Sequence, residues 1–146
     1  MPNTTGPTSR VASPTLADKE LGRLGEQEVY NQELEYVRRL GIAETEVEWV
    51  SQSDPSSTYD IKSVRKVGDQ KRDHFIEVKS TKVAEFTNIY ISANQIRFFE
   101  GHREDAVFKF VTFGSDRRIT KITDFSLEQL LSIFELLPME YKLLPK

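Results

Sequence analysis

The spacing of apolar residues along the chain changes from a helical period to strand-like alternation and then back. Between residues 17 and 40, apolar or small side chains recur at steps of three, four and seven, which predicts an amphipathic helix that ends at Gly41. Gly22 and Gly25 lie on its apolar side, where they would permit a sheet to approach closely. Glu26 lies at the border of the apolar stripe, so its carboxylate is predicted to face the edge of the helix–sheet contact.

Alternating segments and two further helical patterns follow this helix. Four strands are predicted over residues 47–52, 58–67, 74–81 and 88–92. Ser92 and Gln95 have capping-box spacing at the start of the next helix. The remaining elements are a helix over 92–105, strands over 106–114 and 117–122, and a last helix that opens near Asp124 or Ser126 and continues to Pro138. This order predicts an α/β fold, with a central mixed β-sheet flanked by helices.

Composition limits the class of protein without identifying it. The 146 residues suggest one domain, over 16–146, preceded by a flexible tail over 1–15 that is rich in Thr, Ser, Pro and Gly. The absence of cysteine excludes disulfides and thiolate zinc sites. No apolar run is long enough to cross a membrane and the first residues lack a signal-peptide pattern, so a cytoplasmic protein is expected. The net charge of −3 does not indicate nucleic-acid binding, but segment 60–82 holds seven basic and four acidic residues.

The basic segment contains the stretch HFIEVKST, residues 74–81, which places charges inside an apolar strand. Alternation puts Glu77, Lys79 and Thr81 on one face. If Gly68 and Asp69 form a two-residue turn, Asp60 of the preceding strand lies directly opposite Glu77. A loop of four or six residues keeps Asp60 on that face, whereas an odd loop without a bulge moves it away.

Two interpretations of this pattern remain open. Neighbouring carboxylates repel each other unless a cation lies between them, and an oxygen-only pair of ligands suits Mg²⁺. The alternative is a solvated sheet face, on which Asp60, Lys62, Glu77 and Lys79 form an ordinary network of charges.

The order of four short motifs resembles the PD-(D/E)xK nuclease superfamily, and within it the nuclease-like domain family of the NO VEIN carboxyl terminus. The motifs are GRLGEQEVY on the first helix, TYDI at the second strand, FIEVKST on the third, and IYISANQ before the next helix. Together they span about Gly22 to Gly114. The resemblance implies a restriction-endonuclease-like fold with an αβββαβ core.

The same resemblance implies roles for particular residues. Asp60 and Glu77 would bind Mg²⁺, together with the backbone carbonyl of Val78, and Mn²⁺ is expected to substitute. Lys79 would orient or deprotonate the attacking water, or stabilise charge on the phosphate. Glu26 would correspond to the acid of the first helix, which binds a second metal ion or a metal-bound water; a surface Glu favoured by the helix dipole is the alternative. Gln95 stands where the family often has Glu, and helix capping explains it more simply.

The expected function is a Mg²⁺-dependent nuclease acting on double-stranded DNA, in restriction or mobile-element defence, with a homodimer or a larger defence complex as a further option. The alternative is a catalytically silent nuclease-like module that binds nucleic acid or protein. Contacts with the nucleic-acid backbone are predicted for Lys62, Arg65, Lys66, Lys71, Arg72, Thr81 and Lys82. His74 is predicted to lie at the surface. Trp49 is predicted to belong to the core, with stacking on a base as the lesser alternative.

Overall fold

A computed structural model of the chain describes residues 16–82, 89–136 and Pro145. The helices are α1 (Leu16–Arg39), α2 (Val50–Ser53), α3 (Ala93–Gly101) and α4 (Leu127–Ile133), with a 3₁₀ turn at Glu44–Glu46. The strands are β1 (Glu48–Trp49), β2 (Ile61–Val67), β3 (Gln70–Lys82), β4 (Ala106–Phe113) and β5 (Ile119–Phe125). The strands form one sheet in chain order, in which β3 and β4 are parallel and the other pairs are antiparallel.

Helix α1 packs on the sheet along a line of buried residues spaced four apart. This line contains Leu21, Gly25, Val29, Glu33 and Val37. A Cβ on Gly25 would clash with the hydroxyl of Ser80 on β3, so glycine is favoured at this point of closest approach. The helix ends before Gly41, which has φ of +72° as expected for a helix-terminating glycine.

The β2–β3 hairpin has the register expected for a two-residue turn, one of the loop lengths that the sequence left open. Ile61 pairs with Ile76 and Val67 with Gln70, so the loop is the two-residue turn of Gly68 and Asp69. Gly68 has φ of +62°, a conformation that a hairpin turn of this length requires at its first position. Asp60, one residue before β2, therefore lies next to Glu77 as predicted.

Two apolar clusters cover the two faces of the sheet. One contains Val29 and Val37 of α1 together with Ile61, Ile76 and Val111 of the strands. The other lies under α3 and α4 and is largely aromatic, with Phe99, Phe108, Phe110, Leu127 and Leu130. The fold is therefore α/β, a mixed sheet with helices on both faces, and it is restriction-endonuclease-like, which confirms the predicted fold class.

Three predicted elements differ from the observed ones. The strand predicted over 47–52 ends at Trp49, where the chain turns into α2 and the Asp54 amide donates to the Val50 carbonyl. Residues 89–92 form no strand, because Ile89 and Ile91 pack into the aromatic cluster and Ser92 caps α3. The last helix begins after Ser126, one of the two predicted starts, but it ends at Ile133 rather than Pro138.

Three further predictions concern the first helix, the tail and the membrane. Gly22 does not mediate close approach, since no atom lies within 4 Å of a side chain added there. The predicted tail, residues 1–15, lies outside the described residues. Within the described ranges, no helix has the length and apolar character needed to cross a membrane.

Candidate active site

Asp60 is fixed at the point where β2 begins. Its backbone amide donates to the Ile76 carbonyl at 2.9 Å, and its carboxylate accepts a hydrogen bond from the Val78 amide at 2.8 Å. The β2–β3 ladder ends at Ile61 and Ile76, so the Asp60 side chain takes the position that the next backbone pair would occupy. The site therefore exists where two paired strands separate.

Burial and a neighbouring charge act together on the Asp60 carboxyl. Asp60 and Glu77 are both buried. Burial, then the charge of Glu77, raises the pKa of Asp60 to about 7, although the Val78 amide and the Lys79 ammonium act in the opposite direction. Two acids share a confined space, and the charge of Glu77 makes ionisation of Asp60 more costly.

Lys79 is held beside this pair by three groups. Its Nζ lies 3.0 Å from a Glu77 carboxylate oxygen, donates to the Tyr90 carbonyl at 2.6 Å and lies 3.4 Å from Gln95 Oε1. Gln95 also completes the predicted capping box with Ser92 at the start of α3. Capping alone therefore does not account for Gln95, since the same side-chain oxygen also contacts Lys79.

Glu26 lies at the border of α1, as predicted, and faces the same region. One of its carboxylate oxygens accepts hydrogen bonds from the Trp49 indole at 2.8 Å and the Ser51 hydroxyl at 2.6 Å. Burial and the charge of Asp60 raise the pKa of Glu26, opposed by these two hydrogen bonds and by Lys79. Trp49 and Ser51 were not predicted to contact the site, because the chain was expected to continue as a strand there.

The ligand set fits a hard divalent cation that keeps part of its water shell. In an antiparallel ladder the amide and carbonyl of one residue point to the same neighbour. Because the Val78 amide points to Asp60, its carbonyl points to the same side, beyond the last β2–β3 pair. Among the described residues, no three acidic or histidine side chains converge. Two carboxylates and one carbonyl leave room for the several waters that Mg²⁺ retains.

The predicted phosphate-contacting residues do not form one surface. Ion pairs already engage Lys62 with Asp73, Lys71 with Glu46, and Arg72 with Asp105 and Glu104. Most of these side chains are exposed, and Lys62 and Asp105 are half-buried, so exchanging the pairs for phosphate would cost little. Lys71 lies six residues from Glu77 along β3, roughly 20 Å away. Lys66 and Lys82 are exposed, and Thr81 is buried on the Glu77 face with its hydroxyl donating to the Lys82 carbonyl.

Arg65 belongs to a buried cluster that sequence patterns missed. Its guanidinium donates to both carboxylate oxygens of Glu33 on α1, at 2.6 and 3.0 Å, and lies 4.5 Å from the ring centroid of Tyr36. A phosphate contact by Arg65 remains a prediction, but it would require breaking this pair. His74, predicted at the surface where a strand starts, is half-buried inside β3, and burial, then the Arg65 charge, lowers its pKa to about 4.

The fold and the site together define a class of protein: a restriction-endonuclease-like α/β domain with two acids and a lysine where two strands separate. The chain belongs to the family described as Protein NO VEIN, C-terminal, whose model matches residues 25–122. A comparison with curated proteins finds no match.

Proposed function

We propose that this chain is a divalent-metal-dependent nuclease of the PD-(D/E)xK type, which hydrolyses phosphodiester bonds in DNA. The observation that carries the proposal is the buried pair of Asp60 and Glu77, with Lys79 at 3.0 Å from Glu77. A protein gains no stability from placing two buried acids side by side unless a cation offsets their repulsion. A cytoplasmic role in restriction or mobile-element defence, on double-stranded DNA, is part of this proposal.

Hydrolysis requires a water oxygen to attack phosphorus while the bond to the leaving sugar oxygen breaks. Asp60, Glu77 and the Val78 carbonyl would hold Mg²⁺, or Mn²⁺ in its place, which supplies Lewis-acid stabilisation of the phosphate and a more acidic water. The Lys79 ammonium, fixed by the Tyr90 carbonyl, would stabilise negative charge on the non-bridging oxygens. Glu26 would accept a hydrogen bond from a water at the α1 side.

The first experiment measures cleavage of plasmid and linear duplex DNA with Mg²⁺, with Mn²⁺ and with EDTA. Cleavage is expected with either metal and not with EDTA. Glu77→Gln and Lys79→Met are each expected to lower the rate by roughly 10²–10³-fold, since each removes a charge that acts at the reacting phosphate. Circular dichroism shows whether both variants fold.

A matched control is Glu100→Gln, which changes an exposed acid on α3 away from the site. Its cleavage rate should equal that of the unmodified protein. Cleavage that persists undiminished in Glu77→Gln and Lys79→Met would show that another site or a contaminant is responsible, and the proposal would be withdrawn.

One observation favours a second candidate, a nuclease-like module that binds without turnover. Lys79 already neutralises Glu77 and is fixed by the Tyr90 carbonyl. The two side chains can therefore also be interpreted as a structural ion pair that needs no metal ion. Thermal unfolding separates the two candidates. A nuclease should be stabilised by Mn²⁺ alone, by about 2.7 kcal/mol at a hundred times the dissociation constant, and a silent module only by the nucleic acid or protein that it binds.

A further inference from the structure

A groove of about 450 Å³ lies next to the candidate active site, on the α1 side. The amino-terminal turns of α1 form one wall, and the segment of β1 and α2 forms the other. The groove is lined by Asp18, Lys19, Gly22, Arg23, Glu26, Trp49, Ser51 and Gln52. Its volume is within the range of small-ligand sites, which combine apolar surface with a few polar groups.

Trp49 provides a rigid aromatic surface in this groove. Its indole nitrogen donates to Glu26, and its ring lies 5.4 Å from the ring of Tyr30, so two neighbours fix its orientation. The side chain is only partly buried and lines the groove. A partly exposed tryptophan that is held in place suits stacking with a planar ligand, because little conformational freedom is lost on binding.

The groove holds two acids, Asp18 and Glu26, and beside them several polar groups that a nucleotide can use. Lys19 and Arg23 lie one helical turn apart on the α1 wall and are exposed, which suits contacts with a phosphate. On the other wall, the Ser51 hydroxyl donates to Glu26 and keeps its acceptor capacity, and Gln52 carries an amide, so both suit the edge of a base.

One residue of the groove, Glu26, also interacts with the candidate active site. Glu26 lines the groove, and it is close enough to Asp60 for the two charges to interact. A nucleotide in the groove would therefore have its phosphate near the acids of the site.

We propose that this groove binds the unstacked base of a single-stranded nucleotide, stacked on Trp49, beside the phosphate that is cleaved. The inference rests on the proposed function for the identity of that phosphate. Within the duplex substrate of that function, it places cleavage where a base can leave the stack, such as duplex ends and distortions, and it adds single strands as a second substrate.

Two glycines give a matched pair of variants. Gly22 lines the groove, and no atom lies within 4 Å of a Cβ added there, so we expect the longer side chain of Gly22→Leu to extend into the groove. Gly101, the last residue of α3, is equally open and lies outside the groove. Both substitutions replace a helical glycine by leucine, which makes Gly101→Leu the control.

The experiment measures fluorescence of Trp49, the only tryptophan of the chain, during titration with a short oligothymidylate. EDTA is present throughout, so no metal-dependent cleavage occurs. The expected result is quenching by the single strand and much less by a blunt duplex of the same length. Gly22→Leu should weaken the affinity roughly tenfold or more, as expected for the loss of one stacked base, and Gly101→Leu should leave it unchanged.

Three results would overturn the inference: no quenching, quenching that Gly22→Leu and Gly101→Leu weaken equally, or binding of a labelled oligothymidylate that leaves Trp49 fluorescence unchanged. Failure of the nuclease proposal is detected separately. Quenching without metal-dependent cleavage would support the groove as a binding site and contradict the nuclease proposal. Cleavage without quenching would support the nuclease proposal and contradict binding in the groove.

Discussion

Glu26 and Glu33 lie two turns apart on nearly the same side of α1, yet their surroundings are opposite. Glu33 is buried against Arg65, whose hydrogen bonds and charge outweigh the effect of burial and lower the Glu33 pKa. Glu26 faces the acid Asp60, and burial together with that charge raises its pKa. The protein therefore places a cation beside Glu33 and a second acid beside Glu26.

This difference separates a structural acid from a candidate functional one. The Glu33–Arg65 pair is complete, because both carboxylate oxygens accept hydrogen bonds from the same guanidinium. Glu26, Asp60 and Glu77 are not neutralised to the same extent, since the Lys79 ammonium is the positive charge that acts on all three. A ligand that supplies positive charge would stabilise the second region and would have no place in the first.

The largest expected effect comes from removing the complete pair. Glu33→Ala should lower the free energy of unfolding by about 3 kcal/mol, because it leaves the Arg65 charge without its partner. Urea denaturation measures this loss. The control is Glu35→Ala on the exposed side of α1, which removes surface ion pairs with Arg38 and Arg39 and should change stability by less than about 0.5 kcal/mol. Equal losses in the two variants would contradict the contrast.

At the acidic site, removing a carboxylate is expected to raise the free energy of unfolding rather than lower it. The folded-state pKa of Asp60, about 7, lies above the unfolded value, so ionised Asp60 opposes folding as pH rises from about 4 through 7. Asp60→Asn still has an oxygen to accept from the Val78 amide. In EDTA it should raise stability by about 2 kcal/mol at pH 8 and leave it unchanged at pH 4.

Thermal denaturation of both proteins at the two pH values tests this expectation. The difference between them isolates Asp60 from His74, whose lowered pKa makes stability increase with pH in both proteins. A loss of stability in Asp60→Asn at pH 8 would mean that Asp60 is a structural acid like Glu33.

The smallest effect concerns the contact that brings α1 to the sheet. Gly25→Ala should lower stability by about 1 kcal/mol, because the new methyl group clashes with the Ser80 hydroxyl by more than the gain in helix propensity offsets. Gly22→Ala, three residues earlier and unobstructed, should instead gain about 0.5–1 kcal/mol.

Ser80→Ala provides the rescue for Gly25→Ala. Without the hydroxyl, the nearest atoms would be the Ser80 and Val111 Cβ atoms at 3.5 Å, an ordinary contact. The Ser80 hydroxyl has no hydrogen-bond partner within the described structure, so its removal costs little. Chemical denaturation of the single and double variants should show that stability is restored; a double variant as unstable as Gly25→Ala would show that the backbone cannot approach as described.

The sequence predicted those parts of the molecule that depend on local rules. The alternation of side chains places Asp60 on the Glu77 face, and the two-residue turn, one of the loop lengths that the sequence allowed, sets the register that brings them together. The start of α3 follows from its capping box. Local rules do not predict which charges pair between distant elements: Arg65 on β2 pairs with Glu33 on α1, 32 positions away.

Glu26 on α1 also has partners that sequence patterns did not predict. The helical period placed Glu26 at the border of the stripe, but not beside Trp49 and Ser51, because these reach it only after the chain leaves β1. Gly22 and Gly25 likewise lie on the same face of α1, and only the position of the sheet determines which of the two glycines the sheet contacts.

The two-residue turn of the β2–β3 hairpin is also a site where a foreign peptide can be inserted away from the acids. Gly68 and Asp69 lie at the opposite end of β2 from Asp60. Lengthening both strands by equal numbers of residues extends the ladder outward and leaves Asp60 and Glu77 side by side. A targeting peptide or a fluorescent label could be installed at this tip without disturbing the acids at the other end.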